Sequence, residues 1–189
     1  MHGFQLWANL PASLKMTAPR YQDVEAKDIP EVIDDDGTRV KVIVGAFWGK
    51  HGPVDGIAAD PQYLDIHVPA GVKKTFRLSH HRRSFAYVFG GSGAFADASA
   101  PVGVLLEKEV AGEELNIRDM SGNRTLVRFG AADEVTVQAG EEGVRFLLIS
   151  GQPLQEPVAW HGPIVMNTRA ELMQAVQDLR NGTFIKPAH

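Results

Sequence analysis

Seven histidines and no cysteine set what this 189-residue chain could do with a metal or a substrate. Without thiols there is no disulfide, no Cys-ligated zinc, no iron–sulfur cluster and no thiol nucleophile. The imidazoles open to metal ligation or proton transfer include His67, His80, His81 and His161. His67 lies in Leu64-Asp65-Ile66-His67-Val68, whose alternation turns Leu64, Ile66 and Val68 to a core and Asp65 and His67 away from it. His80 and His81 are adjacent, and as strand residues they would point to opposite faces and could not share one metal. Asp119, Ser121 and His161 are the residue types of a hydrolase triad, but no G-x-S-x-G elbow accompanies them and no spacing brings them together. Asp34-Asp35-Asp36-Gly37 lacks the alternating ligands and distal glutamate of a calcium loop and reads as a tight acidic turn.

Two further groups could bind instead of react. Lys73, Lys74, Arg77, His80, His81, Arg82 and Arg83 form a basic cluster suited to phosphate or an acidic partner. The chain carries a net charge of −4, and no aromatic platform accompanies the cluster. A solvated strand edge, which also discourages edge pairing, is the simpler reading. Trp7, Trp48 and Trp160 could line a ligand pocket; in a β fold they are expected in the core or at an interface.

The elements that must position these residues are mostly strands. Val40–Val44, Tyr63–Val68, Lys74–Leu78, Phe85–Phe89, Val102–Leu106, Glu114–Ile117, Thr125–Phe129, Val135–Val137 and Val144–Ser150 are short and rich in β-branched or aromatic residues. Between them stand turn signals, among them Pro69-Ala70-Gly71, Gly90-Gly91-Ser92-Gly93 and Ala139-Gly140. This spacing predicts a sandwich or barrel. One helix is expected, opened by the capping-box pair Thr168 and Glu171, striped by Leu172, Ala175, Val176 and Leu179, and stopped at Asn181-Gly182. The 44% hydrophobic and 22% charged composition is that of an ordinary globular protein. No signal peptide and no apolar run of the ~18 residues a membrane span requires are seen, so a cytoplasmic location is expected.

The opening residues His2-Gly3-Phe4-Gln5-Leu6-Trp7-Ala8-Asn9-Leu10-Pro11, with Lys15-Met16 and Pro19-Arg20-Tyr21-Gln22, closely resemble the segment that crosses from the first to the second cupin domain in the pirin family. His161-Gly162-Pro163-Ile164-Val165-Met166-Asn167-Thr168 and Arg180-Asn181-Gly182-Thr183-Phe184 resemble the pirin C-terminal strand and helix. The resemblance implies an all-β fold: a cupin-type double-stranded, jelly-roll-like β-barrel with one C-terminal α-helix. It divides the chain into an interdomain segment 1–24, a barrel 25–158 and a closing strand and helix 159–189. Pirins are bicupins that include nuclear co-regulators of NF-kappaB-dependent transcription, and some show quercetin 2,3-dioxygenase activity at iron or a similar metal. The family's metal ligands lie in an N-terminal H-P-H-R-G-type segment and a later H-[SA]-E segment, and neither motif occurs in this sequence.

The motif of metal-binding cupins can also be laid on the second barrel. Its glycine frame fits Gly71 and Gly91, and the three ligand positions between them fall on Arg77, Ser79 and Ser84. The histidine expected after the second turn, Gln138-Ala139-Gly140, is Gly143. Arginine offers no lone pair and carries a fixed positive charge, so a barrel without metal is expected. No catalytic, cofactor-binding or metal residue is therefore assigned, and iron is expected only in a first cupin domain.

The opening segment presents Phe4, Leu6, Ala8 and Leu10 on one side and Trp7 on the other. Left in water, each large side chain forgoes roughly 1.5–3 kcal/mol. The segment is therefore expected to form a strand that folds back on the barrel, exchanges between two copies, or docks on a partner. Two roles stay open: a non-catalytic binding, structural or regulatory cupin, or a component of a quercetin dioxygenase-like enzyme completed by a metal-bearing half.

Overall fold

The computed structural model describes residues 3–96, 102–105, 120–130 and 133–185. Its contacts divide the chain into two compact units, Val24–Pro153 and a second one that joins the residues up to Asp23 with those from Leu154 onward. The larger unit holds β1 (Glu31–Ile33), β2 (Arg39–Val44), β3 (Ala46–Phe47), β4 (Lys50–His51), β5 (Gln62–Val68), β6 (Lys73–Arg77), β7 (Arg83–Ala96), β8 (Val102–Leu105), β9 (Ser121–Gly122), β10 (Thr125–Arg128) and β11 (Glu134–Gly151). The smaller unit holds β12 (Ala159–His161), β13 (Ile164–Met166) and α1 (Arg169–Arg180). The expected strand Glu114–Ile117 lies outside the described residues.

A nine-stranded antiparallel sheet runs β1-β2-β5-β11-β7-β10-β8, with β6 added to β11 and β9 to β7. Strand β11 is its spine. The first part of β11 pairs with β6 and the end of β7, and its last part pairs with β5 and the start of β7. Inward residues change parity along both long strands. In β7, Ala86 and Val88 face the core before the glycines and Phe95 faces it after them; in β11, Val135 and Val137 give way to Val144, Phe146 and Leu148. A one-residue slip would turn one half inside out, and the register shift between Ala139 and Val144 prevents this. Gly91 sits at that corner with φ +62°, and a Cβ there would meet the Gly143 carbonyl oxygen at 2.0 Å. Only glycine fits so close a crossing of two backbones.

This corner corrects the expectation at two places. Gly90-Gly91-Ser92-Gly93 and Ala139-Gly140 read as turns, but both lie inside long strands that bend there. Bent in this way, the sheet wraps one core: Val40, Val42, Leu64, Ile66, Val68, Phe76, Val88, Val127, Val135, Val137, Val144, Phe146 and Leu148 are all almost fully buried. The fold is all-β and cupin-like, with one α-helix among the described residues, as the sequence implied.

Other expectations hold locally. Leu64, Ile66 and Val68 are buried while Asp65 and His67 face outward. The acidic run makes the β1–β2 turn: Gly37 N donates to Asp34 O at 2.9 Å, and Thr38 N to Asp36 Oδ1 at 2.9 Å. The Lys74 ammonium bridges Asp34 and Asp36, which ties this turn to β6. Burial lowers the Lys74 pKa, but the two carboxylates outweigh it and leave the group above the ordinary lysine value.

In the smaller unit, β12 and β13 form a hairpin in which Trp160 stands opposite Val165. Helix α1 follows at once. Thr168 accepts from Glu171 N at 3.2 Å and Glu171 Oε2 accepts from Thr168 N at 2.8 Å, so the expected capping box is complete. Gly182, at φ +70°, ends the helix. Ile164, Met166 and Ala175 are the buried residues here, with Leu172, Val176 and Phe184 packed against them.

Candidate functional site

The interior of the barrel is where a cupin would hold a metal, so its lining decides what chemistry is open to it. Phe76 points inward from β6, and its ring meets Phe146 edge-on at 6.0 Å. Phe95 meets Phe146 at 5.3 Å and Phe129 at 6.0 Å. Four aromatic rings thus occupy the space between the sheet's facing halves. The frame positions lie elsewhere. Arg77 is exposed, because strand alternation turns it away from the face that Phe76 takes. Ser79 lies in the β6–β7 connection, where its carbonyl accepts from Arg82 N at 2.9 Å. Gly143 is part of the corner, where a Cβ would meet the Val68 carbonyl oxygen at 2.9 Å. Ser84 alone among these positions brings a buried side-chain oxygen, and a lone hydroxyl is no iron or zinc site. The described residues at these positions do not fit a metal.

The histidines are scattered, with one exception. His80 and His81 belong to the turn before β7, not to a strand, so the alternation expected of them does not apply. Their ring centres lie 3.8 Å apart with the rings tilted by 49°, and His80 Nδ1 lies 2.6 Å from Asp133 Oδ1. The hydrogen bond with His80 holds the Asp133 carboxyl below its ordinary range. Among the described residues, no three His, Asp or Glu side chains converge as metal ligands. Ser121 is buried in β9 of the larger unit, His161 is exposed in β12 of the smaller one, and Asp119 lies outside the described residues.

Three of the seven residues of the basic cluster are already matched to carboxylates. Lys74 binds Asp34 and Asp36, Arg82 binds Asp60, and His80 binds Asp133. Lys73, Arg77 and Arg83 stay exposed along β6 and the start of β7. That is the arrangement of a solvated edge.

The smaller unit presents a different surface. Residues 4–10 form no ladder, which corrects the expected strand. The segment is held to the C-terminal part of its unit by polar bonds: Ala12 N donates to Glu156 Oε2 at 2.8 Å, and the same oxygen accepts from the Asn167 amide at 3.0 Å. Beside it, Leu6, Trp7, Leu10, Val158, Trp160 and Phe184 line an open groove of about 680 Å³. Trp7 is 66% exposed and Trp160 69%. Trp160 Nε1 donates to Gly162 O at 2.6 Å, which fixes the indole across its own hairpin turn. Trp48 is also exposed, next to Phe47 with Lys74 over its ring. None of the three tryptophans is a core residue.

Comparison with known proteins agrees with this architecture. Residues 63–185 match the Pirin C-terminal cupin domain. The chain belongs to the pirin family. It is 40% identical over 185 residues to a pirin-like protein of Caulobacter vibrioides, covering 97% of this chain and 59% of that protein. Human pirin is 34% identical over 181 residues, covering 95% of this chain and 56% of its own length. A crystal structure of quercetin 2,3-dioxygenase from Acinetobacter baumannii superposes with a TM-score of 0.76 at 30% identity, over 94% of this chain and 55% of that one. This pirin-family chain thus spans less than two thirds of the length of the relatives it matches. Among the described residues, no helix is long and apolar enough to cross a membrane.

Sequence reasoning missed one group of this family member altogether. Arg39, Lys41, Asp65, His67 and Arg145 come from three strands distant in sequence, so only cross-strand register could have brought them together.

Proposed function

We propose that this pirin-family chain is a metal-free, non-catalytic cupin module. Its barrel is a scaffold, and its working surface is the groove of the smaller unit. The observation that carries the reading is the barrel interior, where Phe76, Phe95, Phe129 and Phe146 stand and, among the described residues, no imidazole or carboxylate is buried. A cavity that held iron would need three such donors. The binding half of the proposal rests on Trp7 and Trp160, large aromatics left facing water, the second held by its bond to Gly162 O. The groove is lined by Leu6, Trp7 and Leu10 of the opening segment, for which exchange between two copies is one of the expected outcomes, and we assign a second copy of the chain as its occupant.

Sedimentation velocity over a concentration series tests this. The chain is expected to self-associate as concentration rises, and the double variant Trp7→Ala, Trp160→Ala to remain monomeric. A wild-type chain that stays monomeric throughout would remove the assigned occupant.

The likeness to a quercetin 2,3-dioxygenase supports a second reading, in which the chain is the scaffold of such an enzyme and the metal lies in another domain. Quercetin turnover by this chain alone with added iron, followed by loss of the flavonol absorbance, is expected to be nil under both readings. Turnover by the chain alone would overturn the non-catalytic assignment.

A further inference from the structure

On the outer face of the barrel, Arg39 of β2 stands directly opposite His67 of β5, and His67 directly opposite Arg145 of β11. One row on, Glu31 of β1 faces Lys41 of β2, and Lys41 faces Asp65 of β5. The neighbours Val40, Ile66 and Phe146 are fully buried, so strand alternation puts all of these ionisable groups on the outside. They line a cavity of about 200 Å³, and each of its lining residues is Glu31, Arg39, Lys41, Asp65, His67 or Arg145.

The arrangement is unusual in its charge order. Arg39 and Arg145 thus stand on either side of His67 in one cross-strand row. Among the described residues of this cavity, Arg145 is the cation that forms an ion pair. Asp65 accepts from its Nε at 2.9 Å and its Nη2 at 2.6 Å, and its guanidinium carbon lies 4.9 Å from the centre of the Phe89 ring. That fork fixes the guanidinium and leaves Nη1 outside the pair. Arg39 and Lys41 form no ion pair among the described residues. The cavity therefore holds three fixed cations, Arg39, Lys41 and Arg145, against two carboxylates, Asp65 and Glu31.

We propose that this row is a binding site for a small tetrahedral oxyanion, a phosphate group above all. Its oxygens take donors from Arg39, Lys41 and the free Nη1 of Arg145, with His67 between them. The cavity of about 200 Å³ has room for a phosphate group. The site is separate from the groove of the smaller unit and does not depend on the role proposed for it.

The test is a titration of the full chain with inorganic phosphate, followed by backbone amide NMR at constant ionic strength with chloride as the balancing anion. Saturable shifts are expected at residues 39–41, 65–67 and 145. A parallel titration with phenyl phosphate distinguishes free phosphate from a phosphomonoester: equal affinity assigns the site to the phosphate group itself. Arg39→Ala and Lys41→Gln, both at exposed positions, are each expected to weaken binding at least tenfold. Lys73→Ala, on another part of the surface, is expected to leave it unchanged. Shifts that do not saturate, that spread to Lys73 and Arg83, or that persist in Arg39→Ala would overturn the proposal.

Discussion

The two units of this chain solve the problem of apolar surface in opposite ways. The barrel buries its large side chains so fully that Phe76, Phe146, Leu64, Ile66 and Leu148 are all but removed from water. The hairpin–helix unit buries Ile164, Met166 and Ala175 and leaves Trp7, Trp160, Met173 and Ile185 each at least 66% exposed. At ~25 cal/mol per Å² of apolar area, the barrel gains its stability from its own sequence, while the smaller unit holds surface whose burial would add stability only against something else. This contrast in burial is what the proposed scaffold and contact-surface roles rest on.

Substitutions in each unit can sharpen or break this contrast. The largest effect is expected from Phe146→Ala, which empties the meeting point of the Phe76 and Phe95 rings; chemical denaturation should show a loss of about 3–5 kcal/mol. Gly91→Ala should follow, at upward of ~2 kcal/mol, because the new Cβ would strike the Gly143 carbonyl and the backbone there is left-handed. A Gly91→Ala chain of unchanged stability would mean that the corner does not set the barrel's register.

Effects in the smaller unit should be more modest. Thr168→Ala removes the helix cap and should cost about 1 kcal/mol, read as lost helical circular dichroism. The cap is also sensitive to acid. Hydrogen bonds from Thr168 and Asn167 hold the Glu171 carboxyl below its ordinary 4.5. Its contribution is therefore complete above that value and lost as pH falls through the lowered one. Helix fraying should accordingly begin in acid while the barrel's near-UV signal persists. The smallest stability effect is expected of Trp160→Ala, within about 0.5 kcal/mol, since the ring is mostly in water. A loss of several kcal/mol there would show that the surface is structural, and the contrast between the units would fail.

What the sequence disclosed follows from the range of each interaction. Alternation in Leu64–Val68 and the Thr168–Glu171 box are local patterns, and both appear in the structure as read. The glycine runs misled, because a bend inside a long strand uses the same residues as a turn between two short ones. His80 and His81 misled because strand geometry was assigned to a turn. The spacing of Gly71, Arg77, Ser79, Ser84 and Gly91 did not disclose which face each residue takes, since Phe76 points inward and Arg77 outward. The charged row of Arg39, His67 and Arg145 was out of reach, for it exists only through the register of strands far apart in the chain.

The central claim is that the barrel interior is a packed core and not a metal centre. Metal analysis of the full chain, produced with added iron and freed of loosely held ions by dialysis, tests it most directly. The account predicts iron, nickel and zinc each far below one equivalent per chain. A near-stoichiometric metal that survives dialysis would contradict it and return His67, His80, His81 and His161 to consideration as ligands.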